Sequence, residues 1–141
     1  MKDEDRQKVN YVKAELNNYY HMNDRMCQYN LLAYDLQARI NKVTSGSPAK
    51  IPVGKTEYNP NWRSPLFEEL EKIETKIDML AFRRRQVEEF MQRLSGQDRE
   101  IITNLHISKN DKKEYRNYCY EVNMSVSTLQ RYVNRLILDR W

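Results

Sequence analysis

Tyr115-Arg116-Asn117-Tyr118-Cys119-Tyr120-Glu121-Val122-Asn123-Met124-Ser125-Val126-Ser127-Thr128-Leu129-Gln130-Arg131-Tyr132 is the stretch whose reading decides the fold. Tyr118, Val122, Met124, Leu129 and Tyr132 are spaced as the apolar sides of two helices that meet across a short turn. Helices crossing at roughly 100° over such a turn need a small residue at the crossing and a turn residue that accepts positive φ. Cys119 meets the first need. Asn123 meets the second, because asparagine enters the left-handed region more readily than other non-glycine residues. Ser125 stands where the second helix needs its N-cap, with Ser127 and Thr128 in its first turn. The stretch therefore predicts a helix-turn-helix, its first helix running from Lys112 to Val122 and its second from Val126 to about Asp139.

The residues just before it complete a small core. In Ser95-Gly96-Gln97-Asp98 the serine is expected to cap a short helix, with Asp98 three residues on as in a capping box. That helix carries Ile101, Ile102 and Leu105. Ser108-Lys109-Asn110-Asp111 reads as a polar turn, and the core is expected from Ile101, Ile102, Leu105, Tyr118, Val122, Leu129, Tyr132 and Leu136, with Trp141 closing over the last helix. Removing the buried positions from the second helix leaves Ser127, Thr128, Gln130, Arg131, Asn134 and Arg135 facing outward beside the cap Ser125, with no acid before Asp139. Arginine suits guanine, glutamine and asparagine suit adenine, and serine and threonine suit phosphates or either base, so this face has the donors that a major-groove reader uses. Lys109, Lys112, Lys113 and Arg116 lie before and on the first helix, where phosphate contacts would position it.

Upstream, two long helices are expected. From about Arg6 to Val43, apolar residues recur at steps of three and four: Val9, Val12, Leu16, Tyr19, Met22, Met26, Tyr29, Ala33, Leu36, Ile40 and Val43. A single helix of that length, roughly 55 Å, needs a partner to cover its stripe. Residues 44–63 contain two of the three glycines and three of the four prolines and read as a flexible linker, with Tyr58 and Trp62 docking its far end. Ser64-Pro65 restarts a helix, serine as cap and proline at the first helical position, with Glu68, Glu69 and Glu71 near the positive end of the dipole. Leu66, Leu70, Ile73, Ile77, Leu80, Arg84, Val87, Met91 and Leu94 then alternate steps of four and three, a coiled-coil seam. Arg84 is its one charged member, read as snorkelling beside Glu88 and Glu89 or else as a device limiting oligomer state or a phosphate contact. The stripes fit an antiparallel hairpin within one chain and a homodimer equally well.

The expected fold class is thus all-α: a long helical hairpin or coiled coil followed by a C-terminal three-helix helix-turn-helix domain. Its parts are 1–43, a long N-terminal helix; 44–63, a flexible linker; 64–94, a second long helix; and 95–141, the DNA-binding domain. Composition agrees with a helix-rich chain, being 31% charged with mean hydropathy −0.92, three glycines and four prolines in 141 residues. No apolar run long enough to span a membrane occurs, and Met1-Lys2-Asp3-Glu4-Asp5-Arg6 does not read as a signal peptide, so a cytoplasmic location is expected. Cys27 and Cys119 both fall on expected packing positions and are read as buried free thiols. His21, Cys27, His106 and Cys119 have no metal-ligand spacing, and no phosphate-cradling glycine loop or nucleophile paired with a base occurs, so neither an enzyme nor a cofactor or metal is expected. Net charge is +4, but residues 109–141 hold seven Lys/Arg against four Asp/Glu, while residues 65–108 net −2. The basic end coincides with the proposed reader, which favours double-stranded DNA as partner.

Leu94-Ser95-Gly96-Gln97-Asp98-Arg99-Glu100-Ile101-Ile102, followed by Tyr115 to Leu136, resembles the C-terminal region-4-type domain of bacterial sigma factors. The whole layout resembles the small phage late-gene transcription activators of the ArpU and RinA type. The resemblance implies a transcription regulator that binds near a phage late promoter in the bacterial host cytoplasm and recruits the host RNA polymerase; the apolar stripes of the long helices, read by themselves, lead to the expectation of a homo-oligomer. The loop from Ser108 to Glu114 lacks the acidic and aromatic pattern usual before the sigma motif. Two other readings stay open from the residues alone: a DNA-packaging recognition subunit of the small-terminase kind, and a coiled-coil adaptor that binds protein.

Overall fold

The structure, a computed structural model, describes residues 1–44 and 63–141. The chain is all-α: every regular element among the described residues is helical. In order these are α1 (Asp3–Asn17), α2 (Tyr19–Thr44), α3 (Arg63–Arg93), α4 (Gly96–Ile102), a π-type turn (Thr103–Ile107), α5 (Tyr115–Glu121) and α6 (Val126–Arg140). The expected linker, with Tyr58 and Trp62, lies outside the described residues apart from Thr44 and Arg63, which are helical. So does the side chain of Ser64, the expected cap; α3 is described from Arg63, two residues ahead of Pro65.

The expected helix from Arg6 to Val43 is two helices, divided at Asn18, whose φ of −92° and ψ of 2° leave the helical well. Two consecutive asparagines, poor helix formers that compete for backbone hydrogen bonds, stand at the break. Ladder bonds still run on each side of it, from Asn18 N–H to the Ala14 carbonyl and from Met22 N–H to that of Asn18.

Contacts divide the chain into two compact units, Asp24–Ala81 by itself and Met1–Asn23 together with Phe82–Trp141. In the Asp24–Ala81 unit, Leu36 and Ile40 of α2 are buried with Leu70 and Ile73 of α3, flanked by Tyr29, Ala33, Leu66 and Ile77. The Lys76 ammonium lies 5.6 Å over the Tyr29 ring. Tyr29 thus meets Lys76 while Leu36 and Ile40, further along α2, meet Leu70 and Ile73, earlier in α3, so these two stretches run antiparallel. Cys27 is exposed, not buried as expected, because it lies across α2 from that stripe.

The other unit buries Val9, Val12 and Leu16 of α1, Val87, Phe90 and Leu94 of α3, Ile101 and Ile102 of α4, Leu105 and Ile107 of the π turn, Tyr118 and Cys119 of α5, and Leu129, Val133 and Ile137 of α6. Each such aliphatic side chain contributes on the order of 1.5–3 kcal/mol by leaving water. Val122, Tyr132 and Leu136, expected in the core, are only half-buried. Val133 and Ile137 take the inward positions of α6 because α1 also packs on this helix. The C-terminal helices therefore do not close a core by themselves.

Charged residues tie this unit together. Glu15, 4% exposed, accepts two hydrogen bonds from Arg83, at 2.6 and 2.9 Å. Arg84 sits 3.4 Å from Glu88 and donates to Asn23 at 3.1 Å, satisfying its head beside the seam. Arg99 donates to the carbonyls of Met91 and Leu94, and Arg93 to those of Arg140 and Trp141, so arginines take up carbonyls that helix ends leave without intrahelical partners. Trp141 packs against Phe90, ring centroids 5.4 Å apart.

Candidate nucleic-acid interface

The turn between α5 and α6 is built by the backbone. Asn123 has φ 55° and is the one non-glycine residue with positive φ among those described. Its conformation lets Met124 N–H reach the Cys119 carbonyl at 3.0 Å and its own N–H reach that of Tyr120 at 3.4 Å. Those two bonds are the Schellman pattern, with asparagine in the position usually held by glycine. Ser125 follows as the N-cap of α6: its Oγ accepts from Thr128 N–H at 3.2 Å and lies 2.7 Å from Thr128 Oγ1. Ser125, expected at the DNA, is thus committed to holding the helix start. At the other side, Tyr132 donates its hydroxyl to the Asp98 carboxylate, which raises the tyrosine's pKa and pins α6 to the start of α4. Ser95 Oγ accepts from Asp98 N–H at 3.3 Å, which is half of the expected capping box; the Asp98 side chain has gone to Tyr132 instead.

Of the expected outward face, Ser127, Thr128, Gln130, Arg131 and Arg135 are exposed. Arg131 and Arg135 have no ion-pair partner among the described residues. Asn134 departs from the expectation: it is half-buried, and its Oδ1 is buried without a hydrogen-bond partner among the described residues. That removes it from the open face and leaves an orphaned acceptor, at a cost of about 1–3 kcal/mol.

The cations expected at phosphates are placed less openly. The helix meant to carry Lys112 and Lys113 begins only at Tyr115, and Lys113 N–H bonds the Asn104 carbonyl at 2.8 Å. Lys113 Nζ pairs with Glu121 at 2.9 Å and lies 5.4 Å over the Tyr118 ring; the Glu121 hydrogen bond raises its pKa. Arg116 pairs with Glu114 at 2.7 Å. Lys112 donates to Asn17 Oδ1 at 3.2 Å, and Lys109 is exposed. Exposed pairs of this kind contribute about 0–1 kcal/mol, so an arriving phosphate competes with them at little cost.

A polar cluster behind α5 has no counterpart in the sequence reading. His106, 6% exposed in the π turn, places Nδ1 3.1 Å from Asn17 Oδ1 and Nε2 2.6 Å from the Tyr115 hydroxyl. Lys112, which can only donate, fixes the Asn17 atom as the amide oxygen. His106 Nδ1 must then carry the proton, and Nε2 accepts from Tyr115. Burial, with Lys13 and Lys112 nearby, pushes the His106 pKa down to about 4 and keeps the ring neutral, while burial raises that of Tyr115. Burial also lowers that of Lys13, whose ammonium lies 5.7 Å over the Tyr115 ring. The π turn closes with Ser108 N–H on the Thr103 carbonyl at 2.9 Å, and π turns of this kind recur at functional sites.

Comparisons with protein-family models, curated proteins and solved structures give no match. The class is therefore defined by the fold itself, an all-helical protein in which no described helix is long and apolar enough to cross a membrane.

Proposed function

We propose that the chain is a sequence-specific reader of double-stranded DNA and a transcription regulator, with α5 and α6 acting as a helix-turn-helix and α6 entering the major groove. The observation that carries this reading is the open face of α6. Ser127, Thr128, Gln130, Arg131 and Arg135 are exposed on a helix whose start is capped and whose entry is set by the Asn123 turn. Docking in the major groove uses the N-terminal residues of the second helix, and Arg131 and Gln130 are the types that pair bidentately with guanine and adenine. Lys109, Lys112, Lys113 and Arg116 then take phosphates, the last two by exchanging Glu121 and Glu114 for the backbone. The finer role, recruiting RNA polymerase near a phage late promoter in the host cytoplasm, rests on the resemblance to late-gene activators.

The test is selection of binding sites from random duplexes with the full chain. A defined motif is expected. Arg131→Ala should cost about 1–3 kcal/mol on it and relax preference at one position, whereas Lys112→Ala should weaken all duplexes alike and lower the salt slope by about one. A chain that enriches no motif, or an Arg131→Ala variant with unchanged preference, overturns the reading.

A further inference from the structure

The cations around the start of α5 are of two kinds. Lys113 and Arg116 carry their own acids, Glu121 and Glu114. Lys112 and, from α1, Lys13 do not. Lys112 Nζ donates to the Asn17 amide oxygen, Lys13 Nζ lies over the Tyr115 ring, and neither has an ion-pair partner among the described residues. The neighbours of Lys13 one turn away on α1 are Val9, Asn10, Leu16 and Asn17, none of them acidic, and Glu15 is taken by Arg83. Beside Lys112, Glu114 is taken by Arg116, and Asp111 makes no ion pair among the described residues.

These two ammonium groups reach one polar cluster. Lys112 arrives at Asn17, which accepts from the Nδ1 side of His106, and Lys13 arrives at Tyr115, which bonds the Nε2 side. Both push the His106 pKa down, as positive charges do when no anion offsets them. Lys13 is half-buried, and burial lowers its own pKa as well. A phosphate oxyanion resting against the pair would supply the missing counter-charge through charge-assisted hydrogen bonds.

We propose that Lys13 is a further phosphate contact of the reader, holding the DNA backbone together with Lys112 at the start of α5. This rests on the DNA reading above and adds α1 to the interface. Tyr115, under the Lys13 ammonium, is the first residue of α5, and backbone contacts at the first helix of such a pair set how the second enters the groove.

Fluorescence anisotropy with the full chain tests it, on the selected duplex and on a scrambled duplex of the same length, over roughly 0.05–0.4 M salt. Lys13→Met keeps an apolar stem and removes the charge; it should lower the salt slope by about one and weaken both duplexes alike, roughly eightfold at 0.1 M. Lys13→Arg should retain the wild-type slope. Removing a charge that burial disfavours should leave the circular dichroism and urea midpoint of Lys13→Met no lower than wild type, which separates lost contact from lost fold. A wild-type slope and affinity in Lys13→Met overturns the proposal while a wild-type motif still stands, leaving the DNA reading intact. A loss confined to the selected duplex also overturns it, because a phosphate contact is shared by all sequences. A wild-type chain that binds neither duplex overturns this proposal and the DNA reading together.

Discussion

Acidification should loosen this fold through His106. The ring is buried, donates from Nδ1 to Asn17 and accepts at Nε2 from Tyr115, with Lys13 and Lys112 close by, so a second proton finds neither water nor an anion. Its pKa falls from 6.5 to about 4 in the folded chain, while the unfolded chain keeps the ordinary value. Between those pH values the unfolded state binds more protons, so stability rises with pH there. The contribution is fully present above pH 6.5 and is lost progressively down to pH 4. At about 1.4 kcal/mol per pH unit the loss comes to about 3 kcal/mol, a large part of the stability of a small protein. Urea unfolding at stepped pH measures it, with His106→Gln as reference: the variant is less stable at neutral pH but lacks this proton-linked slope. Carboxylates titrate in both proteins, so the difference between the two curves isolates the histidine. If wild type and variant lose stability in parallel from pH 6.5 to 4, the neutral buried ring is refuted.

Two further perturbations probe the frame that holds the site. Arg83→Ala leaves the Glu15 carboxylate buried without its partner and should cost about 3 kcal/mol in urea unfolding; adding Glu15→Gln should recover more than half, and a cost below about 1 kcal/mol would contradict the pairing. At Asn123, φ 55° predicts that Asn123→Val costs about 1–2 kcal/mol while Asn123→Gly is neutral or stabilising, both read by thermal unfolding.

What could be read in the sequence was whatever depends on near neighbours. The seam from Leu70 to Leu94, the Asn123 turn and the Ser95 and Ser125 caps all rest on residues within a few positions of one another, and the described residues show each of them. Long-range partners were not legible. Nothing near Glu15 announces Arg83, 68 positions away, and nothing near His106 announces Asn17, 89 positions away. Lys113 and Arg116 pair with acids only eight and two positions away, Glu121 and Glu114, which periodicity does not show because exposed pairs leave no apolar pattern, and Asn134 was counted on the open face of α6 because its burial depends on what packs over the helix. Periodicity could not divide the helix at Asn18 either, because the apolar steps continue through it. Cys27 was misread because a small apolar residue two steps off a stripe looks like a packing residue until the stripe's direction is known.

The interleaving of the larger unit has a consequence for synthesis. Its first part, Met1–Asn23, leaves the ribosome roughly sixty residues before its second part begins at Phe82. At about 5–20 residues per second, Val9, Val12 and Leu16 spend seconds without the surface that buries them. The antiparallel Asp24–Ala81 stretch can pair within that interval, before the later helices that bury α1 have been made. A fragment starting at Ser95 omits that helix and should emerge soluble only poorly.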